Sequence, residues 1–203
     1  HAGQTRKGSG VPYFGHLLGV TSIVIETGSS ENEAIAALLH DAAEDQGGRA
    51  TIEQTPATIS LINCNSPLRW DERMLEAQFA YSEANQAVVI TPFLLMGAMS
   101  PVSIPATLAQ QMAEALTGIA LSQLIRPGCP VIFGSFLSNI YMQSGSPCFG
   151  TPESAIGLLC TGQIARRFGL PVRSGGGLTS SQTADAQAGY ESLMTMLPTF
   201  LAG

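Results

Sequence analysis

After Thr55 the chain repeats one pattern four times: a short apolar run, a polar loop, then a stretch of helical periodicity. The runs are Ala57–Ile62, Gln86–Ile90, Pro130–Phe136 and Leu170–Arg173, with the length and β-branched content of buried strands. The helical stretches are Asp71–Ala84, Ile104–Ile125, Pro152–Phe168 and Thr183 to about Phe200. No hairpin signal falls between them, and strand–helix alternation of this kind predicts a parallel sheet with right-handed crossovers. The loops that follow the strands, 63–69, 92–103, 137–151 and 174–182, are long and fall at one end of the sheet. A doubly wound sheet and part of a (β/α)8 barrel both fit. The consistent lengthening of every loop after a strand favours the barrel, whose active sites lie on that face. The expected fold is therefore α/β, a partial TIM-type barrel of about four βα units behind an α-helical N-terminal segment.

The third unit, Gly128–Glu153, shows the pattern most fully. Val131-Ile132-Phe133 leads into a loop of Gly, Ser, Asn, Gln and Pro without a formal charge. It closes on Thr151-Pro152-Glu153: a cap residue, a proline at the first helical position and an acid in the first turn. Such a loop is a ligand-binding candidate, and its neutrality restricts the ligand. A net charge of −6 without a basic run argues against nucleic acid. With 45% apolar and 12% charged residues the chain is too apolar for disorder. Ala87–Met99 is interrupted by Thr91 and Pro92, so no run spans a bilayer. The first ten residues lack the apolar core of a secretion signal. Cys64, Cys129, Cys148 and Cys160 form no C-x-x-C pair and read as reduced thiols of a cytoplasmic protein.

Residues 1–54 differ in character, with a higher density of charge and the only lysine, Lys7. Val11–Thr27 reads as a helix on Tyr13, Leu17, Val20 and Val24, and Ser30 with Glu33 forms a capping box for a second helix, Glu31–Asp45. His40 beside Asp41 can supply two ligands to a divalent cation, with Glu44 one turn on to hold or deprotonate a water. His1 to Lys7, Pro12-Tyr13, His16, His40-Asp41 and Glu44-Asp45 together resemble the HD-domain hydrolases of guanosine tetraphosphate. That resemblance implies His16, His40 and Asp41 as metal ligands with Mn²⁺ as the metal, Glu44 and Asp45 as the catalytic acids, and Arg6 and Lys7 facing the nucleotide. The family's fourth ligand is a later aspartate; only Asp71 and Asp185 follow residue 45, and neither has a matching context.

The loops after the strands offer Asn63, Asn65, Met96, Met99, Tyr141, Met142, Gln143, Phe149 and Arg173. That lining is soft, aromatic and neutral with one fixed cation, and suits a small organic cation or a bulky cofactor. Ser174-Gly175-Gly176-Gly177 lacks the spacing of a dinucleotide fingerprint or P-loop. Ser135 lacks a nucleophile-elbow context and, since no histidine follows His40, a partner base.

Asn63 to Asp71, Ile90-Thr91-Pro92-Phe93, Gly97 to Pro101, Phe133 to Phe136, Gln143-Ser144-Gly145, Phe149 to Glu153 and Asp185 to Glu191 resemble the trimethylamine methyltransferase family, from about Thr55 to the last residue. The resemblance implies a (β/α)8 barrel that moves a methyl group from a tertiary or quaternary amine to the corrinoid of a separate protein. No pyrrolysine stands in the sequence; members without it are taken to act on quaternary amines such as betaines. Substrate contacts are then expected at Asn65, Met99, Ser135, Gln143 and Arg173. We read the chain as two partial domains, 1–54 and 55–203, joined within Arg49–Pro56. The leading function is a corrinoid-dependent amine methyltransferase fragment, with a small amine and a corrinoid protein as partners. The alternatives are a metal-dependent HD-type pyrophosphohydrolase fragment and an inactive chimeric α/β protein. Open strand edges at Ala57–Ile62 and Leu170–Arg173 leave room for pairing with a second copy.

Overall fold

The computed structural model describes residues 12–28, 30 and 47–202. The chain divides into two compact units, residues 1–54 and 55–203. In the first, helix α1 (Tyr13–Glu26) starts after Pro12, buries Leu17, and has the Thr21 hydroxyl bonded back to the Leu17 carbonyl at 2.8 Å. Helix α2 (Arg49–Gln54) follows Gly47 and Gly48, whose φ of 90° and 86° favour glycine. It occupies the segment read from sequence as a seam. The helix expected over Glu31–Asp45 lies outside the described residues.

The second unit runs β1 (Ile59–Cys64), α3 (Glu72–Glu83), β2 (Ala87–Met96), α4 (Ile104–Ile125), β3 (Val131–Gly134), β4 (Phe136–Ile140), β5 (Pro147–Cys148), α5 (Pro152–Arg167), β6 (Val172–Arg173) and α6 (Ala186–Leu201). Strand β1 pairs with β2 in parallel, Ile59 opposite Ala87 through Cys64 opposite Pro92. On the other side β2 pairs in parallel with β3 (Val88 with Val131) and then, in the same register, with β4 (Phe93 with Phe136). Strands β3 and β4 are thus one strand interrupted at Ser135, and β3 pairs onward with β6. The parallel strands lie side by side in chain order, β1-β2-β3-β6. A doubly wound sheet reverses its order at a switch point; this one does not. The unit is a mixed α/β structure whose parallel sheet and helices are consistent with part of an α/β barrel.

Two expectations need correction. The segment from Leu137 to Thr151 is not all loop: β4 and β5 form an antiparallel hairpin, Asn139 opposite Cys148 and Ile140 opposite Pro147, with residues 141–146 as its turn. Strand β2 also continues to Met96, through Thr91-Pro92. Proline is tolerated because Thr91 and Pro92 fall between the last β3 pair (Ile90 with Phe133) and the first β4 pair (Phe93 with Phe136).

Helices α3, α4, α5 and α6 form a layer in which successive members touch, and α3, α4 and α5 pack on the strands. The core between layer and sheet holds Ile62, Cys64, Val88, Ile90 and Phe133 from the strands with Ala115, Ile119 and Ala165 from the helices. Each of α3, α5 and α6 begins with a side-chain cap: Asp71 accepts from the Met74 amide, Thr151 from Ser154 and Asp185 from Ala188. Within the layer the contacts are partly polar. Gln78 Nε2 donates to the Gly118 carbonyl (2.6 Å) and to Ser122 Oγ (3.0 Å), while Gln111 Nε2 donates to Thr161 Oγ1 (3.0 Å).

Candidate functional site

Strand side chains alternate between faces, so residues flanking the core positions point to the opposite face of the sheet. The strand pairings arrange them in rows. Leu61, Val89 and Ile132 form an apolar row, and Asn63, Thr91, Gly134 and Arg173 form a polar row nearer the strand ends. Beyond it Phe93 pairs with Phe136. Their rings stack at 4.5 Å and 9°, and Phe149 meets Phe136 edge-on at 6.0 Å and 76°. An apolar floor, a polar belt and an aromatic row follow one another toward the C-terminal ends of the strands.

Two details sharpen the belt. Thr91 Oγ1 is buried and has no hydrogen-bond partner. Gly134 lies so close to β2 that an added Cβ would be 2.5 Å from the Ile90 carbonyl oxygen and 2.8 Å from Thr91 Cα. Arg173, at the end of β6, is exposed, and among the described residues its guanidinium has no carboxylate partner.

The loops at this end are held from behind. In the β1–α3 loop, Ser66 Oγ donates to Glu114 Oε2 (2.6 Å), and the Leu68 amide donates to Glu114 Oε1 (2.8 Å). Glu114, on α4, is 2% exposed. It also helps to hold the nearby Cys64 thiol protonated: burial first, and then the Glu114 charge, push that thiol up to about 12. The β6–α6 loop is tied to Glu191 of α6, which accepts from Thr179 Oγ1 (2.7 Å), the Ser180 amide (2.7 Å) and Gln187 Nε2 (2.9 Å). Ser180 Oγ in turn accepts from the Phe149 amide (2.9 Å), so the loop fixes the edge-on ring. A Cβ on Gly150 would collide with the Glu191 side chain, which packs against that glycine.

These donors, Thr179 foremost and then Ser180, hold the Glu191 carboxyl below its ordinary 4.5. Its stabilising contribution is complete above 4.5 and is lost as pH falls through the lower folded value. Hydrogen exchange of the Ser180 amide, followed from about pH 6 down to about 3, is expected to lose protection at the acid end after correction for intrinsic rates. Glu191→Gln should flatten that dependence; an unchanged profile would remove Glu191 as the loop's anchor.

The site residues expected from sequence are dispersed. Asn65 is a turn residue: its side-chain oxygen accepts from the Asp71 amide (3.1 Å) and its own amide donates to the Arg69 carbonyl (2.8 Å). Met99 is half-buried, and its carbonyl accepts from Gln110 Nε2. Gln143 is exposed in the hairpin turn. The Ser135 side chain turns toward the helices, donating to Gln111 Oε1 at 2.8 Å. Only Arg173 of the five falls in the belt. Thr91 and Phe93 were not among the expected substrate contacts because the strand was expected to stop at Ile90; Gly134 and Phe136 fell inside the expected strand Pro130–Phe136, where Ser135 was chosen instead. The alternation of β2 beyond Ile90 was the available signal.

Arg6, Lys7, His40, Asp41, Glu44 and Asp45 lie outside the described residues. His16 is half-buried on α1. Among the described residues no group of three or more His, Cys, Asp or Glu side chains is arranged to hold a metal ion. No helix among them is long and apolar enough to cross a membrane.

The chain is similar to named proteins over most of its length. It is 50% identical over 157 residues to the glycine betaine methyltransferase of Desulfitobacterium hafniense (strain Y51), covering 77% of this chain and 33% of the relative. The proline betaine:corrinoid methyltransferase of Eubacterium limosum is 32% identical over 146 residues, 72% of this chain and 30% of the relative. Trimethylamine methyltransferase MttB of Methanosarcina barkeri is 30% identical over 158 residues, 77% and 32%. The aligned part spans about a third of the length of each of these relatives. The family profile described as trimethylamine methyltransferase (MTTB) matches residues 22–203 and so begins inside the segment that resembles the HD-domain hydrolases. The chain belongs to the trimethylamine methyltransferase family.

Proposed function

We propose that this chain takes part in moving a methyl group from a tertiary or quaternary amine to a corrinoid carried by a separate protein. The observation that carries the reading is the uncharged cluster of Phe93, Phe136 and Phe149 at the C-terminal ends of parallel strands. Ring faces attract a desolvated ammonium without requiring a counter-carboxylate, which suits a quaternary nitrogen better than a phosphate or a metal. Two relatives act on betaines and a third on trimethylamine by their names, which supports an alkylated amine as the methyl donor.

A reduced corrinoid, when bound, would supply the electron pair for the new bond to the methyl carbon. The pair of the broken C–N bond stays on nitrogen, and a quaternary nitrogen leaves as a neutral amine. The chemistry required of the chain is therefore placement and exclusion of water. The stacked rings hold the nitrogen near the strand ends, the anchored loops keep Phe149 in position, and the neutral hairpin turn of residues 141–146 presents no charge to a corrinoid's flat face.

Transfer of an isotopically labelled methyl group from glycine betaine or trimethylamine to a reduced corrinoid protein, in the presence of this chain, is the direct test. The expected result is chain-dependent labelling, reduced about tenfold by Phe136→Ala through loss of the ring's attraction for the cation. No transfer from either amine would overturn the reading.

A further inference from the structure

The polar belt holds one charge, and its sign is the informative part. A guanidinium stays protonated at any working pH, and Arg173 has no carboxylate among the described residues to neutralise it. The carboxylates next along the chain are occupied: Glu191 accepts from Thr179, Ser180 and Gln187, and Asp185 from Ser181 and the Ala188 amide. Arg173 pairs with Gly134, two positions before Phe136 on the same strand line, so its row lies about 7 Å below the rings. Gly175, two residues beyond Arg173, confirms the alignment, since a Cβ there would be 4.0 Å from Phe136 Cδ2. A fixed cation carried on that row disfavours a bare ammonium held by the rings. It attracts a ligand that carries its own anion on the side away from the methyl groups.

We propose that Arg173 selects and orients a zwitterionic substrate, a quaternary ammonium bearing a carboxylate. The assignment rests on the amine-binding reading given above. The carboxylate lies against the guanidinium in the belt and the nitrogen lies at the rings. The N-methyl groups then point out of the strand ends, the direction from which a corrinoid protein can approach. Gly134 adds no side chain to the belt, and a Cβ there would crowd Thr91, its neighbour in the row. Arg173 is a positioning and specificity residue; the methyl transfer itself needs no proton or bond from it.

The test is a pair of titrations of the chain, with glycine betaine and with tetramethylammonium, read by calorimetry and by the shifts of the phenylalanine ring signals. Glycine betaine is expected to bind at least tenfold more tightly. Arg173→Gln should weaken it about ten- to hundredfold, the range for a hydrogen bond to a charged group, and leave tetramethylammonium unchanged or tighter. Arg173→Lys should restore part of the difference, which a merely structural role would not do. Because Arg173 is exposed and its hydrogen bonds among the described residues are backbone ones, the melting temperature of both variants should match the parent. Equal binding of the two cations, with Arg173→Gln silent, would overturn the carboxylate assignment and leave the amine reading standing. If neither cation binds or shifts the rings, the amine reading falls and the assignment falls with it.

Discussion

Gly134→Ala is expected to destabilise the second unit by about 3 kcal/mol or more, at the upper end of what overpacking costs. The obstruction is backbone: the new Cβ would meet the Ile90 carbonyl oxygen at 2.5 Å and Thr91 Cα at 2.8 Å, with Thr91 Oγ1 closer still. Rotating a side chain cannot relieve contacts of that kind, so β3 must move away from β2. That movement breaks the pairing at the point where β3 gives way to β4, and with it the stacking of Phe136 on Phe93. Urea titration monitored by circular dichroism gives the stability change, and the ring signals report the site. Gly189→Ala is the control. Gly189 lies inside α6 with nothing within 4 Å of an added Cβ, and alanine there should stabilise by about 0.5–1 kcal/mol. A Gly134→Ala protein as stable as the parent would mean that the two strands do not approach as described.

Glu114→Ala should be nearly as damaging, by about 3 kcal/mol, for a different reason. Three donors converge on that carboxylate: Ser66 Oγ, the Leu68 amide and Gln110 Nε2. Alanine removes the acceptor of the Ser66 hydroxyl and the Leu68 amide, leaves Gln110 only the Met99 carbonyl, and empties the volume of a buried side chain. Glutamine separates acceptor from charge. It keeps one oxygen for Leu68 and Gln110 and offers its amide to the serine hydroxyl, so Glu114→Gln should cost only about 1 kcal/mol. Cys64 provides an independent readout. Burial is the larger reason that its thiol is pushed up to about 12, and the Glu114 charge the second. Thiol labelling of Cys64 near pH 8 should therefore stay slow in Glu114→Gln and become fast in Glu114→Ala, where the loop opens. Fast labelling in the parent would show that Cys64 is not shielded.

Most of the helices could be read from the chain itself. Helix α4 has the bounds expected from Leu108, Met112, Leu116 and Ile119, and α5 begins at the proline that the Thr151-Pro152-Glu153 signature marked. Caps and 3.6-residue periodicity are local properties, so they survive in a single sequence. The sheet was less legible because its pairing is not local. Leu137-Ser138-Asn139-Ile140 has the composition of a loop and becomes strand because Leu94, Leu95 and Met96 present an open edge beside it. The hairpin that follows needs Cys148 to return against Asn139, which nothing in residues 141–146 announces. The site suffered in proportion. Arg173 could be picked out as a lone charge in a neutral stretch, but its relation to Phe136 exists only through the register that joins β3 to β6.

The hydrogen bonds between the helices have a consequence for the height of the strand ends. Apolar contacts alone permit a helix to slide along its axis and repack one turn further on at small cost. Gln78 to Gly118 and Ser122, and Gln111 to Thr161 and Ser135, are directional and short, and a one-turn slip would strip all of them in a dry interior. They act as pegs that fix how far each strand projects beyond the layer behind it. Asn63, Thr91, Gly134 and Arg173 stand level because α3, α4 and α5 cannot change level independently.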